Sequence, residues 1–197
     1  MGKPKEKRKE QARRQLAKSK QQARRRLLIQ SLKPLFFAIL AWLVVNILVH
    51  IPVIQKPFNA FFISFTTHSA YWFGKILFLP VEMRNVPFLS VNGFPLMVIM
   101  ECTAYTFYIF GVAVVAFSRW PLRHKLTSLV TILLGIFVIN NFRFLAVGFV
   151  GSYRPDMVDL LHDVVWNVVF AMMVFALWWW REESARKLIA SEKHQAG

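Results

Sequence analysis

Residues 98–117 read VIMECTAYTFYIFGVAVVAF. At Cys102, the only cysteine in the chain, a polar-flanked segment turns apolar, and Glu101 stands directly before it. From Ala104 to Phe117 no residue is charged. The stretch reads as a membrane helix near 103–118, with a thiol and an acid left together at its edge. A single cysteine excludes an intramolecular disulfide framework.

The surrounding sequence agrees. Of 197 residues, 56% are hydrophobic, more than soluble domains usually carry, and several further runs are long enough to cross a bilayer. A first span is expected near 35–54, with Pro34 suited to a helix start. Others fall near 127–149 (TSLVTILLGIFVINNFRFLAVGF) and 164–180 (VVWNVVFAMMVFALWWW). No small-x-small cleavage site follows the first run, so it reads as an uncleaved anchor.

Charge sets the expected threading. Residues 1–33 hold 13 Lys and Arg against 2 acids, the 119–125 loop adds three basic residues, and the tail from Arg181 adds a net +1. The rest of the chain sums to zero within a total of +15. Basic residues gather on the cytoplasmic flanks of membrane helices. The N-terminal tail, the 119–125 loop and the C-terminal tail are therefore expected inside, in a plasma (inner) membrane. Trp120 and Trp178–Trp180 mark the same interface. The polybasic tail suits anionic lipid headgroups rather than nucleic acid.

The stretch 57–79 is long enough to cross but carries Asn59, Ser64, Thr66, Thr67, His68, Ser69 and Lys75. Crossing would move seven Lys and Arg outside, so it reads as a helix at the outer interface. After it, Asn92-Gly93 between β-rich flanks signals a short hairpin, with Pro87 and Pro95 favouring short or edge strands. The fold expected is an all-α integral membrane protein with about four transmembrane helices, an outward-facing interfacial helix and a short β-hairpin. Its parts are a basic cytoplasmic tail (1–33), a membrane-embedded domain (34–180) and a cytoplasmic C-terminal tail (181–197).

With that threading, Cys102, Arg143 and His162 fall at one depth on three helices. Separately each has a plain reading: a small apolar filler, a snorkelling arginine, a helix-end histidine. Together, expensive polar groups at membrane depth point to function, and acyl transfer is the chemistry they suit. The thiolate attacks, and a nearby cation raises its fraction. His162 takes the proton and returns it to the leaving amine. Arg143 stabilises the anionic oxygen or binds the substrate chain. Asn140 lies on the same helix as Arg143, and Asp159, three residues before His162, is placed to orient the imidazole on a helix. Glu101 would disfavour the thiolate, so it pairs with a cation or faces water. His50, His68, His124 and His162 form no ligand-spaced set, so no metal is expected, and no cofactor either. Gly111 to Ala113 offer a small surface, for a substrate helix or for ordinary packing.

The residues ECTA (101–104) opening a span, NNFR (140–143) at the outer end of the next and LHD (161–163) before the last resemble the exosortase/archaeosortase family of membrane cysteine transpeptidases. The resemblance covers roughly 35–180, and the short four-span core looks like a small subtype, the exosortase H type. It implies Cys102 as nucleophile with Arg143 and His162 completing the triad. It also implies membrane-anchored protein substrates with a C-terminal sorting signal of the PEP-CTERM kind: a motif, one transmembrane helix and a basic tail. They would be cut at the outer face through a thioester and passed to an acceptor amine. The family's Cys-Ser-Gly is here Cys102-Thr103-Ala104: the hydroxyl is kept and the glycine lost. The competing reading is a non-enzymatic membrane scaffold in which Arg143 pairs with Glu101 or Asp163. A transporter lacks the intramembrane polar residues to line a path.

Overall fold

A computed structural model describes residues 32–195, together with Gln15, Lys18, Ser19, Gln21 and Gln22. The basic tail expected over 1–33 lies almost wholly outside these residues. Helix α1 spans Leu32–Val49 and α2 Pro52–Ile76. Three strands follow: β1 (Val81–Asn85), β2 (Phe88–Val91) and β3 (Phe94–Met97). A 3-10 turn at Met100–Thr103 leads into α3 (Tyr105–Phe117), then α4 (Leu122–Tyr153). A short 3-10 turn at Pro155–Met157 and a π-helical stretch at Leu160–Val165 run into α5 (Trp166–Gln195).

Among the described residues, three helical segments are long and apolar enough to cross a membrane: Leu32–Val49, Leu122–Tyr153 and Pro155–Leu188. The expected span near 103–118 is apolar but shorter. α3 has 13 residues, about 20 Å at 1.5 Å per residue, against a hydrocarbon core of about 30 Å. It is shortened because Ala104 takes a left-handed conformation at one end and Ser118 turns extended at the other. The described residues thus hold three helices of spanning length and one shorter apolar helix. The stretch expected as an interfacial helix over 57–79 is helical from Pro52, whose fixed φ suits the first turn.

The insert is a three-stranded antiparallel sheet in the order β1-β2-β3, one strand more than the expected hairpin. The hairpin itself is β2–β3. Asn92 and Gly93 both have positive φ, 50° and 79°, as the tight turn with two left-handed central residues requires. Val91 pairs with Phe94 and Phe88 with Met97. In β2, Leu89 and Val91 are buried and Phe88 is exposed, the alternation of a half-covered sheet.

Two apolar cores result. One lies within the bundle, around Val114, Ile132, Ile136, Phe170, Val174 and Trp178. The other joins the sheet to α2 and α4 through Ala70, Val81, Val91, Val98, Phe144 and Leu145, and Cys102 belongs to it. Glycine makes the second possible. A Cβ on Gly74 would stand 2.4 Å from Val81, and one on Gly148 would stand 2.4 Å from Val91. Gly148→Ala is expected to cost about 1–3 kcal/mol by overpacking. The check is a fall in the melting temperature of the detergent-solubilised protein, and an unchanged midpoint would mean that the sheet lifts freely off α4. Gly111 meets Ile132 at 2.9 Å in the same construction, so it serves packing inside the bundle.

At one end of the bundle a polar clasp joins α4 to α5. His124 Nε2–H donates to the Arg181 carbonyl at 2.9 Å, Arg181 Nε donates to Ser128 Oγ at 2.8 Å, and Trp120 Nε1 donates to Glu182 at 2.7 Å. From Glu182 back to His162 is a rise of about 30 Å along the helix, one hydrocarbon thickness. His124 and His162 therefore belong to opposite ends of the bundle.

Candidate active site

The turn Met100–Thr103 presents Cys102. Its N–H bonds the Ile99 carbonyl at 3.0 Å, and Thr103 Oγ1 donates to the Met100 carbonyl at 2.8 Å. Thr103 is fully buried, so its hydroxyl stitches the turn that carries the thiol. Ala104 ends the turn at φ 55°, ψ 17°. A side chain there costs roughly 1–2 kcal/mol that glycine does not. This is the physical sense of the glycine in the related motif: the position needs a left-handed residue, and alanine fills it under strain. Ala104→Gly is expected to raise stability by about 1 kcal/mol, measured as a higher unfolding midpoint, with the Cys102 site kept.

Cys102 Sγ lies 3.0 Å from His162 Nε2. Arg143 Nη2 lies 2.8 Å from the same nitrogen and 3.4 Å from the His162 carbonyl oxygen. The structure thus brings together three side chains from the turn before α3, from α4 and from the π-helical stretch. Cys102 and Arg143 are each only 4% exposed. A guanidinium always donates, so in this arrangement Nε2 accepts and its one lone pair is claimed by both Arg143 and the thiol. Once Nε2 takes the sulfur's proton it can no longer accept from Arg143, which stands 2.8 Å away. Proton transfer and the loss of the Arg143–Nε2 hydrogen bond are one event. Burial pushes the Cys102 thiol up. The His162 hydrogen bond, a backbone hydrogen bond at Ile99 and the charges of His162 and Arg143 outweigh it and hold the thiol below its ordinary range.

A cavity of about 430 Å³ lies against this cluster, lined by Glu101, Ala104, Tyr105, Thr106, Phe107, Arg143, His162 and Asn167. Asn167, Tyr105 and Thr106 carried no signal in the sequence beyond being polar near an apolar run. Glu101 is exposed on the cavity wall, and no ion pair joins it to Arg143. The side chain of Asp163 lies outside the described ones.

Two expected supporting residues stand apart. Asp159 is exposed and makes no hydrogen bond to His162. The reason is the π-helical winding that begins at Leu160: i→i+5 bonding turns the chain less per residue, so three positions no longer share a face as they would on an α-helix. Asn140 is buried and its Oδ1 has no hydrogen-bond partner. It lies one turn from Arg143 and makes no hydrogen bond to Cys102 or His162. Among the described residues no three His, Cys, Asp or Glu side chains gather where they would hold a metal ion.

Fold and geometry together define a class: a helical membrane protein with a cysteine, a histidine and an arginine clustered at one end of its bundle. The chain matches the transmembrane exosortase (Exosortase_EpsH) family over residues 26–179 and belongs to it. That family is one of membrane cysteine transpeptidases acting on sorting signals. No curated protein matches the chain, and no solved structure does.

Proposed function

We propose that this protein cuts the C-terminal sorting signal of membrane-anchored proteins at the outer face of the plasma membrane and passes the new carboxyl end to an acceptor. Cys102 is the nucleophile, His162 the base and then the acid, and Arg143 the cation for the tetrahedral oxygen. The observation that carries this reading is the shared contact at His162 Nε2, with sulfur at 3.0 Å and guanidinium at 2.8 Å. A packing cysteine needs neither.

In the reaction, the thiol's proton passes to Nε2 and sulfur attacks the scissile carbonyl. Arg143, its bond to Nε2 given up, stabilises the developing oxyanion. His162 returns the proton to the leaving amine, and a thioester remains. The charge pattern supports both tails and the clasp end of the bundle facing the cytoplasm, with the 1–33 tail on anionic lipid. That leaves the cysteine cluster about one hydrocarbon thickness away, at the outer edge. A substrate helix sharing the bilayer would bring its preceding segment to that height.

The test is Cys102→Ser in the native host, followed by whole-cell proteomics. A set of proteins that keep their C-terminal helix only in the variant supports the transpeptidase, and their shared motif gives its signal. No uncut proteins, with unchanged growth and secretion, would return the thiol to packing and the protein to a scaffold.

A further inference from the structure

Glu101 has no place in the attack just described. It precedes the nucleophile in sequence, yet it is not among the groups that move the Cys102 thiol. No hydrogen bond or ion pair to it is present among the described residues. Cys102 turns inward to 4% exposure, while Glu101 stays exposed and lines the cavity that Arg143 and His162 also line. The cavity therefore carries two cationic or basic groups committed to the sulfur and the oxyanion, and one carboxylate committed to nothing.

We infer that Glu101 is the positioning residue for the incoming acceptor, holding its ammonium group in the cavity while the thioester waits. This rests on the reading of Cys102 as nucleophile. A carboxylate in a cleft raises the local concentration of cations, and an amine is cationic until the moment it attacks. The balance is complete without a further reagent. The ammonium at Glu101 gives one proton to water across the exposed carboxylate. The neutral amine attacks the thioester carbon, and His162, neutral after the first half-reaction, takes the second proton. The C–N bond forms, the C–S bond breaks, and sulfur leaves as thiolate beside the imidazolium. Glu101 thus favours an amine over water as acceptor, and a cationic amine over a neutral one.

The test uses the full chain in detergent, loaded at Cys102 with a short peptide thioester and resolved by ethylenediamine and hydroxylamine in competition. Ethylenediamine is cationic near neutral pH and hydroxylamine is not. Glu101→Gln should lower the ratio of ethylenediamine adduct to hydroxylamine adduct by about three- to fivefold, the upper end for an exposed ion pair, and Glu101→Asp should recover part of it. An unchanged ratio overturns the proposal. So does slower loading with an unchanged ratio, which would assign the carboxylate to the substrate chain. A wild-type protein that does not load overturns the nucleophile reading and this proposal with it. Loading without amine discrimination overturns this proposal alone.

Discussion

Cys102→Ser is expected to lower acyl-enzyme formation by at least about a thousandfold, and His162→Gln by about a hundred- to ten-thousandfold. Serine keeps the size and the inward orientation, but its hydroxyl gives up its proton far less readily than a thiol already held below its ordinary range by His162 and Arg143. Glutamine at 162 still fills space near Arg143 but has no basic nitrogen for the sulfur's proton. The two residues act through one 3.0 Å contact, so the double variant should be little worse than Cys102→Ser alone. Intact-mass detection of a peptide thioester adduct measures each rate. Independent, multiplying losses would mean that His162 and Cys102 do not share a step. The same variants have a readout free of any substrate. Alkylation of Cys102 by iodoacetamide follows the thiolate, so in the wild type it should rise at lower pH than for an ordinary thiol. In His162→Gln the rise should move to higher pH.

The parts of this site that were legible in sequence were those fixed by threading. Cys102, Arg143 and His162 come to one height because basic residues at 119–125 and beyond Arg181 set where three helices turn, and Trp120 and Arg181 do meet within one clasp. Asn92-Gly93 was legible for a local reason: few residue pairs accept two positive φ angles. What escaped depends on winding and cover that composition does not encode. Strand β1 was hidden because Glu82 and Arg84 make it polar, and its burial comes from Val81 seated where Gly74 lacks a side chain. The π-helical stretch leaves the sequence LLHDVV looking like any apolar helix, yet it decides which residues stand beside His162. Its winding is what separated Asp159 from the site. Ala104 runs the other way: its departure from the related motif was visible in the sequence, but its meaning required the φ of 55°.

Arg143→Gln is expected to cost about a hundred- to a thousandfold in turnover, the loss of one preorganised oxyanion donor, with a smaller effect on thiol reactivity. The order follows from the contacts. For the thiol, the His162 hydrogen bond outweighs the charge of Arg143, so the alkylation profile should move less in Arg143→Gln than in His162→Gln, and in the same upward direction. For the reaction, the cation matters more than that shift implies, because the oxyanion forms as Nε2 is protonated and gives up its bond from Arg143. Arg143→Lys separates charge from shape. A lysine keeps the cation but loses the rigid guanidinium whose Nη2 reaches both Nε2 and the His162 carbonyl, and a buried ammonium is harder to keep charged than a guanidinium. It should restore the thiol profile toward wild type while turnover stays at least about tenfold down. Full rescue by lysine would reduce Arg143 to a point charge acting on the sulfur, and the exchange of partners at Nε2 would then have no part in the reaction.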